Sequence, residues 1–258
     1  MTRISARALL ARYAVAWLYL AGFVIAEVVY AALSPHDQSA VLQWASTNVV
    51  NLRHDPVGSL AASMFISGAF GTSWPAVIAL ALFGANRALG NWRTALVCVA
   101  GHVIGTLVSE GIVDYRVTHG LLPASDTRIL DVGPSYVVVS AVAVAMLYGS
   151  WLARLAATLD FVTLIFLGHI FSGLSTLDVT AVGHTAAITA AVLLGTLLAW
   201  QLRRSPATTA RRFPSEQRAP RTAGRQADRS GDLLSGGFRR VTMRMAAAVG
   251  RPAGDRCR

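Results

Sequence analysis

The stretch DVGPSYVVVS, residues 131 to 140, sets Ser135 between Gly133-Pro134 and Tyr136, where a polar loop turns into an apolar run. A serine hydroxyl attacks a carbonyl only when a base takes its proton. The stretch TAVGHTAAITAAVLLG offers such a base in His184, 49 residues further on. Proline suits the first position of a helix, where no amide hydrogen is needed, so a helix is predicted to start at Gly133-Pro134-Ser135 with its free N–H groups directed at the serine. The chemistry this combination allows is acyl transfer, with a hydroxyl nucleophile, an imidazole base and a helix end to steady an oxyanion. In the plainer case Ser135 only caps the helix and His184 is an interhelical hydrogen-bond partner.

The elements that must position these two residues are membrane helices. The chain has 258 residues, is 54% hydrophobic and 14% charged, and has a mean hydropathy of +0.50, more apolar than a soluble domain of this size. Apolar stretches able to cross a bilayer, which takes ~20 residues, run over 13–33, 59–85, 94–113, 134–149, 152–171 and 179–200. An all-α, six-span bundle is therefore predicted for residues 1–200. Arg3, Arg7 and Arg12 precede a first apolar stretch too long for a cleaved signal peptide, so it reads as an anchor. Arg87, Arg93 and Arg154 fall in the even-numbered loops, and Arg203 and Arg204 follow the last span. The basic-residue rule then puts both termini in the cytoplasm and Ser135 near the outer face.

Residues 201–258 hold 14 of the 23 arginines and only 4 of the 13 acids, which accounts for the whole net charge of +10. Rich in Arg, Pro, Ala, Ser and Gly, they form a predicted cytoplasmic tail that cannot bury a core. Its expected partners are anionic lipid heads rather than nucleic acid, since aromatic residues are few. Leu234, Phe238, Val241, Met245 and Ala248 recur at helical spacing and predict a short surface helix. All the basic residues are Arg and none is Lys, which reflects a GC-rich genome more than any site; the expected location is the plasma membrane of a bacterium. Cys98 and Cys257 build no disulfide or metal framework, and no metal or cofactor is expected.

Polar groups inside spans tend to be functional or paired. His102, midway through the third span, is predicted to pair with Asp160 in the fifth. His169, near the end of the fifth, is a candidate to line the Ser135 cavity, while Glu27 in the first span has no evident partner. Gly101 and Gly105 form a G-x-x-x-G, a common helix-packing signal.

With six spans and a serine and histidine at matching depth, the chain resembles the rhomboid intramembrane proteases. Their hallmark is G-x-S-G at the start of the fourth helix and a His in the sixth, matched here by Gly133-Pro134-Ser135-Tyr136 and Gly183-His184. NRALGNWR, residues 86–93, is similar to the E-x-R-x-G stretch of that family. Gly183, Ala187, Ala191 and Gly195 recur every four residues and would let helices four and six approach closely. The resemblance covers roughly residues 10 to 200. It implies an intramembrane serine endopeptidase with a Ser135–His184 dyad and an oxyanion site at the Ser135 and Gly133 backbone, acting without a cofactor on transmembrane protein segments.

Two departures bear on activity. Tyr136 replaces the glycine after the serine. The H-x-x-x-N of the second rhomboid helix also has no match, because the family spacing lands near Phe70 and Trp74, leaving the Trp74 indole N–H as a substitute donor. Retained catalysis predicts that Tyr136 turns away from the sixth span. The alternative is an inactive rhomboid-like protein that binds membrane helices without cutting them. An unrelated transporter is disfavoured by the lack of an inverted repeat of broken helices.

Overall fold

The computed structural model describes residues 5–68 and 73–204. Among them are ten α-helices: α1 (Ala6–Arg12), α2 (Ala14–Ala31), α3 (Pro35–Ala45), α4 (Val49–His54), α5 (Pro56–Ser63), α6 (Ser73–Leu89), α7 (Asn91–Thr118), α8 (Ser135–Tyr148), α9 (Trp151–Phe166) and α10 (Val179–Arg204). No strand occurs among the described residues. Residues 205–258 of the tail, with its predicted surface helix and Cys257, lie outside them.

The bundle is organised around α8. Every residue from Tyr136 to Ala145 is buried, as expected of a helix that is apolar all round and must be covered on every side. α6, α7, α9 and α10 supply that cover. At ~1.5 Å per residue, the 14 residues of α8 span about 21 Å, against about 42 Å for the 28 residues of α7. Ser135, at the start of the short central helix, is half-buried.

Two of the predicted spans are corrected. The stretch 59–85 is not one helix: α5 ends at Ser63, the chain turns through Gly68 at φ 71, and α6 starts at Ser73. A positive φ suits glycine, and Pro75 fits the first turn of α6, where its missing N–H costs nothing. The fifth span stops at Phe166, because His169 (φ 49) and Gly173 (φ 80) turn the chain back. By length and composition, α2, α7 and α10 through Leu202 are long and apolar enough to cross a membrane, and α8 is a shorter apolar helix. α6 and α9 are also apolar, with 17 and 16 residues.

The first connecting segment is folded rather than open. Glu27 of α2 accepts a hydrogen bond from the Ser67 N–H at 2.5 Å, which provides its partner. Ser63 O accepts from Gly133 N–H at 3.1 Å, and Asp131 O accepts from Thr47 N–H at 2.8 Å. The entry to α8 is thereby stitched to the segment between α3 and α5.

Candidate functional site

The α8–α10 seam follows the predicted row of small residues. Tyr136, Ser140, Val144 and Tyr148, each four apart, face Gly183, Ala187 and Gly195. A side chain built on Gly183 would overlap the Tyr136 ring and hydroxyl, and one on Gly195 would meet Val144 at 3.2 Å and Tyr148 at 3.4 Å. Ser140 Oγ donates to Tyr136 O at 2.7 Å and approaches Ala187 O at 3.5 Å. α7 closes the same seam through Gly101 and Gly105: a side chain on Gly101 would strike Ser140, and one on Gly105 would come within 2.9 Å of Gly183 O. Ser135 and His184 each follow or precede a residue of this contact by one position, so both lie at the level where Tyr136 meets Gly183.

His184 is buried, with Nδ1 3.1 Å from Ile170 O. A carbonyl only accepts, so Nδ1 carries the hydrogen, and in the neutral imidazole Nε2 keeps its lone pair. Nε2 is buried and has no hydrogen-bond partner among the described residues. Ser135 Oγ likewise has no hydrogen bond there, so the two are not bonded to each other. Gly133 sits at φ 137, a conformation that favours glycine, and its bend delivers the chain into α8.

Tyr136 does not turn away from α10 as retained catalysis predicts, and on this point the structure favours the non-cleaving alternative. Its ring stands edge-on to His184, centroids 5.1 Å apart and planes at 79°, in space left by the missing side chains of Gly183 and Gly105. Its hydroxyl donates to the two oxygens of Asp131 at 3.3 and 3.2 Å. Asp131 also accepts from Thr47 Oγ1 at 3.2 Å, and its N–H donates to Ser46 Oγ at 2.9 Å. Burial pushes the Asp131 carboxyl up to about 6, opposed by the bonds from Tyr136 and Thr47 and reinforced by the charge of Asp178. Asp131, lying ahead of α8, figures in the sequence only as an outer-loop charge. Its place five residues before an aromatic at a helix start was the one local signal, and nothing local pointed to Ser46 or Thr47, more than 80 residues away.

The remaining candidates are placed as follows. Trp74 is half-buried against the core, and Phe70 and Thr72 lie outside the described residues. His169 is exposed in the turn after α9 and does not join the buried cluster; its neighbour Ile170 supplies the carbonyl that holds His184. His102 and Asp160 do not pair, because His102 Nε2 is taken by Ser63 Oγ and Leu60 O, both at 3.1 Å, while Asp160 Oδ2 is buried without a partner among the described residues. No group of three or more metal-ligating side chains occurs among the described residues.

Comparison with curated proteins and with solved structures finds no match. The family model described as rhomboid-like protein matches residues 10–208, every helix of the bundle except the first turn of α1. On that match, which spans well over half of its length, the chain belongs to the rhomboid-like protein family.

Proposed function

We propose that this rhomboid-like membrane protein is an intramembrane serine endopeptidase in which Ser135 is the nucleophile and His184 the base, cutting transmembrane protein segments. The observation that carries this reading is the state of His184. With Nδ1–H tied to Ile170 O and Nε2 unpartnered, the imidazole is the tautomer a general base requires. Nε2 accepts the Ser135 proton as Oγ attacks the scissile carbonyl, and the oxyanion is met by N–H groups at the start of α8, where the helix dipole is positive. The imidazolium then protonates the leaving amine. Ser135 Oγ and His184 Nε2 are not hydrogen-bonded among the described residues, so this step requires the two to come into contact. The setting is a bacterial plasma membrane with both termini cytoplasmic and the tail against anionic headgroups. Cysteine accessibility after Asp126 should report external exposure.

Labelling of membranes with a fluorophosphonate tests the dyad: label on the wild type, lost in Ser135→Ala and in His184→Ala, supports it. Label that persists in Ser135→Ala, or that never appears, counts against it. A second reading, a rhomboid-like protein that binds membrane helices without cleaving them, is favoured by the Tyr136 ring against His184. Tyr136→Gly separates the two. An enzyme keeps or gains cleavage of a reporter segment, whereas a binder captures the segment in pull-down and cuts nothing before or after the change.

A further inference from the structure

A groove of about 560 Å³ runs between α6 and α9, away from the Ser135 end, with walls that include Ala79, Phe83, Gly84 and Arg87 on one side and Ala153 and Ala156 on the other. Its size is within the ~300–1,000 Å³ of pockets that hold small molecules. The small side chains make it concave, and the leucines along it, Leu80 and Leu152, are 48% and 59% exposed. In a bundle that lies in a bilayer, such a wall faces acyl chains.

The two ends of the groove differ. From Ala79 to Arg87 the walls follow α6 for about 12 Å at ~1.5 Å per residue, close to the ~15 Å of one leaflet in a ~30 Å hydrocarbon core. At the far end stand Arg87, Tyr13 and Ser150, which line the same cavity. Arg87 is exposed, and none of the three side chains makes a hydrogen bond or ion pair among the described residues. Arg12 lies over the Tyr13 ring at 5.6 Å, and no carboxylate lines the cavity. One end thus offers positive charge and two uncommitted hydroxyls, the chemistry that meets a phosphate, and the rest offers hydrocarbon.

We propose that this groove binds an anionic glycerophospholipid, with its phosphate at Arg87, Tyr13 and Ser150 and one acyl chain lying between α6 and α9. A protein helix fits less well, since it would need an apolar wall well beyond one leaflet and would leave Arg87 without a counter-charge. The site is separate from Ser135 and His184 and stands whether or not the protein cleaves peptides.

Native mass spectrometry of the full-length detergent-purified protein, offered phosphatidylglycerol or phosphatidylcholine, tests the site. The wild type should retain one phosphatidylglycerol under activation that strips phosphatidylcholine. Arg87→Gln should lower phosphatidylglycerol occupancy about fivefold, the weight of one arginine beside an anionic headgroup, and leave phosphatidylcholine unchanged. Ala156→Trp, which fills the groove, should also lower phosphatidylglycerol occupancy; should it fail to fold, Ala79→Leu replaces it. Arg116→Gln, at the other end of the bundle, should retain wild-type occupancy. Unchanged retention in Arg87→Gln would place the lipid elsewhere, on the basic tail for instance, and overturn the proposal. A dimer lost on filling the groove would name a second copy as the occupant and overturn it equally.

Discussion

The molecule contains two buried histidines, His102 and His184, whose rings are held by backbone carbonyls in opposite senses. His102 of α7 has its Nε2 within 3.1 Å of both Ser63 Oγ and Leu60 O, and Ser63 Oγ donates to the same Leu60 carbonyl at 3.2 Å. A carbonyl cannot donate, so His102 Nε2 carries the hydrogen and presents Ser63 with a donor rather than a base. Ser63 is also 1% exposed, with no room for a substrate. His184 is held by a carbonyl at the other nitrogen, so its Nε2 lone pair is the free one. The serine in contact is the structural one, and the serine at the mouth of a short helix is the candidate nucleophile. Contact distance alone would select Ser63 and His102, whereas the backbone carbonyl that sets each tautomer favours the proposed pair.

The largest effects that bear on this contrast are catalytic. Ser135→Ala and His184→Ala should each lower cleavage of a reporter segment, or fluorophosphonate labelling, by ~10³-fold or more, as loss of a dyad member does elsewhere, whereas Ser63→Ala should leave labelling per folded molecule unchanged. If Ser63→Ala abolished labelling and Ser135→Ala did not, the assignment of the two pairs would have to be exchanged. Next in size is Gly183→Ala, which puts a methyl group into the Tyr136 ring and should destabilise the fold by ~1–3 kcal/mol through overpacking. Tyr136→Ala should suppress that loss in the double variant, measured by thermal unfolding in detergent; simple additivity would mean that the two do not share the seam.

His102→Leu should cost ~0.5–1.5 kcal/mol by removing the imidazole N–H shared by Ser63 and Leu60, seen as a lower Tm without a change in rate per folded enzyme. The smallest effect concerns pH. Burial raises the Asp131 carboxyl from 3.8 to about 6 in the folded chain, so between those values the folded state holds a proton that the unfolded state has lost. Its contribution to stability is present below about 3.8 and declines as pH rises towards 6. Asp131→Asn should flatten the unfolding profile in that window, and an unaltered slope would show that Asp131 is not the group responsible.

Much of this architecture was legible along the chain. Hydrophobic runs located the membrane helices, Gly133-Pro134 marked the start of α8, and the four-residue row from Gly183 to Gly195 marked the face of α10 that receives it. Those signals are local: helix starts follow from capping and proline geometry, and a small-residue stripe has one use in a membrane bundle. The break between α5 and α6 was less legible, because an apolar stretch reads as continuous whether or not glycine at positive φ interrupts it.

What the sequence by itself determined is the class of the protein, an all-helical rhomboid-like membrane bundle, and the start of its central helix at Gly133-Pro134. What only the tertiary structure decided is where the second hydrogen bonds go. Ile170 O sets the tautomer of His184, Leu60 O that of His102, and Asp131 with Thr47 holds Tyr136 in the slot left by Gly183. Each of these contacts joins residues remote in the chain or separated by a turn. Their geometry follows from how helices pack, and periodicity within one helix carries no information about it.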